Sequence, residues 1–315
     1  MRDLIIVSTK ASEYFAELLA TKLSASITGV ERKVFAGGEE YRRFENEFRM
    51  YWFGRDVIVA AGITNDYELL DVCRLGSAIA KSGAHRVIYI IPFEAYTTME
   101  RAVKPNEVVT AKITARQLSQ LPHGDYRNCF LFLDLHTAGF IHYLEGECLR
   151  FELYAEEILT EAIGDLGLPN FMFGSADLGR PKWVKAFAKK FETRMALIDK
   201  SRDFQTTKVE QVIGDVRGMN VIIYDDMIRS AKTLVDAAHA YIDEGAVAVY
   251  AVASHAAFDN ETAIQRLLSS RIKTTVITNS HPMSQHPLIL NSRKFIVKDV
   301  SGMYVGAISM LRSEN

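Results

Sequence analysis

"VIIYDDMIRSAKTLVDAAHAY", residues 221–241, contains the parts of a strand–loop–helix unit in order. Its first residues are of the kind that fill a buried strand, and the apolar spacing of its second half predicts a helix. Between them stand two adjacent carboxylates, Asp225 and Asp226. Because ligands of open α/β sheets bind at the carboxyl ends of the strands, this stretch predicts both a parallel sheet and a candidate site.

The same alternation runs through the rest of the chain. Short runs rich in Val, Ile and Phe are separated by helical patterns, which is typical of parallel strands covered by helices on both faces. We therefore predict an α/β fold of mostly parallel sheets flanked by helices. The predicted strands are residues 4–7, 56–61, 86–92, 129–135, 171–174, 195–198, 220–224, 249–254, 274–278 and 295–300.

The two halves of the chain resemble each other. Residues 55–96 align without gaps on residues 217–258, and FLFLDLHTAG (130–139) echoes FIVKDVSGMY (295–304). Chance similarity between any two strand–helix–strand units explains part of this likeness. A duplication is the favoured explanation, and it predicts two similar domains, 1–148 and 149–315, that meet just after the polar residues 145–147.

Composition narrows the classes of protein to be considered. The 315 residues are 48% hydrophobic and 24% charged, as in a soluble globular protein, and the net charge of −2 argues against nucleic acid or anionic membrane as a partner. No apolar run approaches ~20 residues, and the N-terminus has no signal-peptide pattern. Cys73, Cys129 and Cys148 are scattered, which predicts buried free thiols. A cytoplasmic protein is expected.

The loop after residue 224 carries groups that suit a sugar phosphate. Arg229, Ser230, Lys232 and Thr233 stand at the predicted helix start, where hydroxyls, cations and backbone N–H groups favour a phosphate. The carboxylates one turn earlier suit sugar hydroxyls or a Mg²⁺ ion. The alternative for this segment taken alone is an ordinary N-cap loop.

This loop resembles the ribose-phosphate loop that is shared by type I phosphoribosyltransferases and ribose-phosphate pyrophosphokinases, also called PRPP synthetases. Other segments are similar to the second family in the right order, and together they cover nearly the whole chain. Each motif has modest specificity, but their combination is strong. These segments are FAGGEEYRRF (35–44), PFEAYTTMER (92–101) with VVTAK (108–112), DLHTAGF (134–140), SADLGRPKW (175–183) and ALIDKSR (196–202).

The resemblance implies two phosphoribosyltransferase-like, Rossmann-like domains and a reaction in which the β,γ-diphosphate of ATP is transferred to ribose 5-phosphate. It implies that Lys200 and Arg202 lie on a mobile loop and clamp the migrating diphosphate, whose spreading charge suits a lysine beside an arginine. It also implies that His136 and Asp177 ligate Mg²⁺, with Asp134 orienting them.

The resemblance further assigns residues to the two substrates. Asp225 and Asp226 are expected to hold the ribose hydroxyls, and the family forms homo-oligomers, dimers that stack into hexamers. The 5-phosphate is expected to contact Arg229, Ser230, Ala231, Lys232 and Thr233. ATP is expected to contact Gly37, Gly38, Glu39, Thr97 and Thr98.

Several positions depart from the family pattern. Lys232 stands where the family has a glycine that permits positive φ and close approach of phosphate, and Thr97–Met99 replaces an Arg-Gln-Asp run. Losing that arginine should weaken nucleotide binding by on the order of 1.5–3 kcal/mol. Three hypotheses follow: a divergent active enzyme, a weakly active regulatory paralogue, or an enzyme with a changed sugar-phosphate substrate. The presence of the catalytic and metal residues favours the first.

Overall fold

The computed structural model describes residues 2–177, 181–202 and 207–313. The chain forms two compact units. The first comprises Met1–Tyr154 together with Val300–Asn315, and the second comprises Ala155–Asp299.

The first unit contains a parallel sheet with helices beside it and a separate antiparallel hairpin. Its elements before residue 154 are β1 Leu4–Ser8, α1 Glu13–Leu23, β2 Ser26–Ile27, β3 Val30–Val34, β4 Glu40–Phe44, β5 Asp56–Ala60, α2 Asp66–Lys81, β6 Arg86–Ile91, α3 Thr110–Ser119, β7 Cys129–Leu133 and β8 Leu149–Leu153. The sheet order is β2-β1-β5-β6-β7-β8, with all neighbours parallel, and β3 and β4 form the hairpin.

The second unit contains a seven-stranded sheet in the order β11-β10-β9-β12-β13-β14-β15, parallel except between β10 and β11. Its elements are α4 Glu156–Asp165, β9 Phe171–Ser175, α5 Pro181–Lys190, β10 Met195–Arg202, β11 Thr207–Ile213, β12 Asn220–Met227, α6 Lys232–Asp243, β13 Ala248–His255, α7 Glu261–Ser269, β14 Ile272–Thr278, α8 Pro287–Leu290 and β15 Phe295–Lys298. The last helix of the chain is α9, Ser301–Ser313.

The predicted α/β fold is confirmed, and burial explains why its strands could be read from the sequence. Every residue of β5, β6 and β7 is buried, as is typical of central parallel strands with both faces covered. Helix α2 begins where the Asn65 side chain accepts a hydrogen bond from the Glu68 N–H, 3.1 Å away. The buried apolar residues form two clusters, and each unit contains one of these hydrophobic cores.

The two sheets share one strand order, since β1-β5-β6-β7-β8 of the first matches β9-β12-β13-β14-β15 of the second. Position in the sheet corrects one of the expected correspondences. FLFLDLHTAG begins in β7, whose counterpart by position is β14, whereas FIVKDVSGMY begins in β15. The hydrogen bonds just after these strands support the pairing of β7 with β14. The Asp134 N–H, directly after β7, donates to Leu153 O at 3.0 Å, and the Asn279 N–H, directly after β14, donates to Lys298 O at 2.9 Å.

The structure divides the chain at a different place from the expected boundary between residues 148 and 149. Strand β8 follows that boundary, yet it pairs with β7 in the first sheet. Helix α9 also belongs to the first unit, where the Tyr304 ring packs edge-on against Phe15 with centroids 5.7 Å apart. Consequently, the helix that follows the last strand of each sheet belongs to the other unit.

The prediction of buried free thiols is confirmed only in part. The three cysteines are free thiols, but only Cys129 is buried, while Cys73 and Cys148 are partly exposed. Within the described ranges, no helix is long and apolar enough to cross a membrane.

Candidate functional site

The carboxylate pair lies at the carboxyl end of β12 in the second unit. The strand continues through both residues to Met227, whose partner on β13 is His255. Asp226 is buried and Asp225 is partly exposed, and the Asp226 N–H donates to Asp225 Oδ1 at 2.9 Å. The pair is therefore held rigidly by the sheet, with Asp225 the more accessible of the two carboxylates.

The loop that follows presents polar side chains to solvent. Arg229, Ser230, Lys232 and Thr233 are exposed, while Ala231 is buried and has φ 59°. The left-handed residue is thus Ala231, the N-cap of α6, and not Lys232, which begins the helix. Lys232 therefore occupies an ordinary helical position, and its N–H donates to Ser230 Oγ at 3.3 Å.

Asp177 lies at the same edge of the second sheet as the carboxylate pair. It follows β9, which is the direct neighbour of β12 and pairs Ser175 with Tyr224. Asp177 is partly exposed. Because the carboxyl ends of neighbouring parallel strands meet at one edge, Asp177 and the loop at residues 225–233 lie at the same edge of the sheet.

The two predicted clamp residues lie in a strand rather than in a loop. Lys200 and Arg202 are in the last part of β10, where their backbones pair with Val209 and Thr207 of β11 across an irregularity after Asp199. The side chains of Lys200 and Arg202 lie outside the described part of the chain, as do residues 203–206. Their proposed contacts with a diphosphate stay a prediction.

Buried polar side chains line the next two strand ends of the second sheet. His255 Nδ1 lies 2.7 Å from Ser280 Oγ, and the Thr278 hydroxyl donates to Ser254 O at 2.6 Å. Burial lowers the pKa of His281 to about 3, and the electrostatic influence of His255 and Arg229 acts in the same direction. His281 is therefore neutral at physiological pH and within electrostatic reach of the loop.

Sequence reasoning missed His281, although a signal was present. The Asn-Ser-His segment at 279–281 follows β14, and Asp-Leu-His at 134–136 follows its counterpart β7. An alignment by strand position, instead of by the nearest run of similar letters, would have paired His281 with His136.

In the first unit, the predicted metal segment follows β7. Asp134 is buried with φ 40°, and His136 is partly exposed. The backbone between them is fixed because the Leu135 N–H donates to Glu152 Oε1 at 2.9 Å, and Tyr154 donates its hydroxyl to the other carboxylate oxygen at 3.1 Å. Burial raises the pKa of Glu152.

The predicted ATP residues Thr97 and Thr98 lie on a 3₁₀ turn after β6, the neighbour of β7. Thr97 is buried and its hydroxyl donates to Glu94 O at 3.0 Å, so Thr98 is the more accessible of the two. Glu94 is also buried, accepts the Tyr96 N–H at 3.3 Å, and has its pKa raised to about 8 by burial. Sequence reasoning did not single out this glutamate.

The other predicted ATP residues form the tip of the β3–β4 hairpin. Gly37, Gly38 and Glu39 are exposed, and Gly38 has φ 85°, which suits glycine. The Phe35 N–H donates to Glu39 O at 2.9 Å and closes the turn. The tip is thus an ordered turn rather than part of either sheet.

Apart from Lys200 and Arg202 on β10, the predicted residues fall into three groups. Asp177 and the loop at 225–233 share one edge of the second sheet, while His136 and the 95–99 turn share one edge of the first. The hairpin tip connects β3 and β4, which are not strands of either large sheet. Among the residues that the structure describes, no group of three or more His, Cys, Asp or Glu side chains forms a metal cluster.

Comparisons with known proteins cover both units. Residues 4–121 match the model of the N-terminal domain of ribose phosphate pyrophosphokinase, and residues 194–315 match the phosphoribosyl synthetase-associated domain. The chain is 30% identical over 302 residues to a ribose-phosphate pyrophosphokinase of Gloeobacter violaceus. The aligned region covers 94% of this chain and 87% of that relative. A second relative, the ribose-phosphate pyrophosphokinase of Caldanaerobacter subterraneus, is 30% identical over 307 residues. This aligned region covers 95% of this chain and 90% of that relative.

The fold also matches a solved structure. The crystal structure of phosphoribosylpyrophosphate synthetase from Mycobacterium smegmatis superposes with a TM-score of 0.85 over 100% of both chains, at 22% sequence identity. This similarity establishes a shared fold.

Proposed function

Because the chain belongs to the ribose-phosphate pyrophosphokinase family, we propose that it transfers the β,γ-diphosphate of ATP to the 1-hydroxyl of ribose 5-phosphate. The sugar oxygen bonds to the β-phosphorus, the bond from that phosphorus to the α-phosphate oxygen breaks, and AMP leaves. The hydroxyl proton is released. The observation that carries this proposal is the loop at 225–233, in which a carboxylate pair on a strand end is followed by exposed hydroxyl and cationic side chains at a helix start.

In this proposal the sugar lies along that loop. Asp225 and Asp226 accept hydrogen bonds from the ribose hydroxyls, which suits acceptor-only groups. The 5-phosphate lies at the start of α6, where helix N–H groups and the side chains of Arg229 and Lys232 attract an anion. The side-chain cations of Arg229 and Lys232 thereby compensate for the missing glycine, which in the family pattern lets the phosphate approach the backbone N–H groups closely.

The transfer itself requires positioning and charge neutralisation more than proton chemistry. We assign Lys200 and Arg202 to the migrating diphosphate, since an arginine fork and a lysine point charge both stabilise phosphate oxygens. Their place near the end of β10, which pairs with β9, brings them to the sheet that also carries Asp177.

Of the two predicted ligands, the Asp177 carboxylate is the kind of oxygen donor that suits Mg²⁺. Mg²⁺ commonly keeps several waters and binds through one or two protein groups plus substrate phosphates, so a cluster of three protein ligands is not required. Asp177 offers a partly exposed carboxylate and His136 a partly exposed imidazole. When bound, the ion neutralises charge that develops on the phosphate oxygens.

For ATP we propose contacts with Thr98 and the hairpin tip at 37–39, all of which are accessible. Thr97 contributes through the shape of the turn, because its hydroxyl already donates to Glu94 O. We further propose a homo-oligomer, a dimer or hexamer, on the ground that Phe48 and Phe53 are each 64% exposed and suit an apolar interface.

The decisive experiment measures AMP released from ATP and Mg²⁺ with and without ribose 5-phosphate. We expect sugar-dependent AMP release, and a loss of roughly 100-fold or more in turnover for Lys200→Ala, the size seen when one charge-stabilising donor is removed. Lys189→Ala is the matched control, since Lys189 is exposed on α5. No AMP release, with ATP or ribose 5-phosphate still raising Tm, contradicts the proposal and favours a regulatory paralogue.

A further inference from the structure

The loop at residues 225–233, which we call the sugar-phosphate loop after the proposed function, is bonded on one side to a segment of the second unit. This segment, residues 255–266, runs from the end of β13 into α7. The Ile228 N–H donates to His255 O at 3.0 Å, and the Asp259 N–H donates to Arg229 O at 3.5 Å. The Arg266 guanidinium donates to Ser230 O. Three consecutive loop residues are therefore each bonded to this segment, and the third bond alone comes from a side chain.

Resting on the proposed function, we propose that Arg266 is a positioning residue for the 5-phosphate of the sugar substrate. It acts by fixing the orientation of the peptide that joins Ser230 to Ala231. Arg266 does not need to touch the phosphate for this role.

The geometry of the peptide bond supplies the reason. In a planar trans peptide the C=O and the N–H point in opposite directions. Because Ser230 O is drawn toward Arg266, the Ala231 N–H points away from α7. Within the described part of the chain this N–H has no hydrogen-bond partner, and it precedes the first turn of α6, where an anion is favoured.

The backbone conformation of Ala231 is the reason why the orientation of the Ser230–Ala231 peptide needs support from another segment. Its φ of 59° is a left-handed conformation that costs an alanine roughly 1–2 kcal/mol, so contacts from outside the loop help to maintain it. The Ser230–Ala231 peptide is the one that enters this conformation, and Arg266 bonds to its oxygen.

Arg266 is well placed to act as a rigid support. It is half-buried on α7, which the Asn260 side chain caps by accepting the Ala263 N–H at 3.2 Å. Ile264 and Leu267 on the same helix are fully buried in the core of the second unit. A guanidinium fork anchored in this way holds a carbonyl with little loss of side-chain entropy.

The test compares Arg266→Ala, Arg266→Lys and the control Arg271→Ala in the full-length protein. Arg271 is an exposed arginine whose guanidinium pairs with Asp243 at 2.8 Å, away from the loop. We expect Arg266→Ala to raise the KM for ribose 5-phosphate by on the order of tenfold, the effect of one charged hydrogen bond, with the KM for ATP unchanged. Arg266→Lys, which keeps one donor, should recover part of the loss, and Arg271→Ala should behave as wild type.

A binding readout completes the test. Ribose 5-phosphate should raise the Tm of wild type and of Arg271→Ala more than that of Arg266→Ala, whereas ATP should protect all three equally. An unchanged KM for the sugar phosphate in Arg266→Ala overturns the positioning role. An equal loss for both substrates overturns it too, because that result indicates a merely structural arginine. Wild type without sugar-dependent AMP release instead overturns the proposed function on which this role rests.

Discussion

At the scale of single residues, Glu94 combines burial with an incomplete set of hydrogen bonds. Its side chain is 3% exposed, Oε1 accepts the Tyr96 N–H, and Oε2 is a buried oxygen without a hydrogen-bond partner in the described part of the chain. Burial raises its pKa to about 8. The turn that carries Thr97 and Thr98 is therefore built on a carboxyl group that is protonated at neutral pH.

Glu94→Gln should remove a pH dependence of stability. The folded-state pKa of about 8 lies above the ordinary value of 4.5, so the folded protein binds the extra proton between these values and loses stability as pH rises through this window. Relative to the variant, wild type should lose about 1.4 kcal/mol of unfolding free energy per pH unit. Urea unfolding at pH 5, 6, 7 and 8 measures this difference.

The control for this prediction is Glu161→Gln, an exposed glutamate on α4. Its difference from wild type should stay small across the same pH range. A Glu94→Gln difference that is equally flat with pH would show that Glu94 is ionised in the folded protein.

At the scale of secondary-structure elements, the β3–β4 hairpin is tied to α2 by one carboxylate. Asp71 on α2 is completely buried; Arg42 Nε lies 2.5 Å from its Oδ1, and Arg32 Nε lies 3.5 Å from its Oδ2. Arg42 also contacts Glu40 at 2.8 Å and the face of Tyr67. A hairpin with mostly charged strands is thus fixed by a buried ionic network.

Asp71→Asn should therefore loosen the hairpin. Removing one partner of a buried ion pair leaves uncompensated charge and typically costs about 3–5 kcal/mol. We expect a lower Tm and faster proteolytic cleavage at the hairpin tip, measured by limited proteolysis and mass spectrometry. Glu31→Gln tests a more accessible pair of the same hairpin, in which Arg43 lies 2.7 Å from Glu31, and it should lower Tm much less than Asp71→Asn. Equal effects of the two changes would contradict a special role for Asp71.

The hairpin also shows where sequence reasoning stopped. Strands such as β5 and β6 could be predicted because burial on both faces requires continuous apolar runs. VERKV and EYRRF, the strands of the hairpin, lack that pattern, and their arginines pair with Asp71, which is distant in sequence. The loop at 225–233 could be singled out from local motif chemistry, whereas Arg266 could not, because its bond to Ser230 O arises only from tertiary contact.

At the scale of the whole molecule, the chain leaves the first unit after Tyr154 and returns to it at Val300. The spacing of apolar residues in α9 indicates that one face of the helix is buried, but it does not indicate which unit covers that face. The expected division at 148/149 therefore assigned this helix to the second domain. Tyr304 is fully buried, and Arg312 pairs with Asp56 at 3.0 Å at the start of β5. The C-terminal residues therefore stabilise the N-terminal sheet.

Tyr304→Ala should destabilise the first unit, although residue 304 lies near the end of the chain. Loss of a fully buried aromatic side chain costs about 3–5 kcal/mol. The two tryptophans make the location measurable, because Trp52 is buried in the first unit and Trp183 belongs to the second. In a Trp183→Phe background, Tyr304→Ala should move the unfolding transition of Trp52 to lower denaturant. In a Trp52→Phe background it should move that of Trp183 less.

Tyr241→Ala is the matched control for this assignment. Tyr241 is fully buried on α6 of the second unit, where its hydroxyl donates to Ser175 O at 2.9 Å. Its removal should shift the Trp183 transition most, the reverse of Tyr304→Ala. If Tyr304→Ala instead moved the Trp183 transition most, α9 would stabilise the second unit, and the domains would follow the order of the sequence.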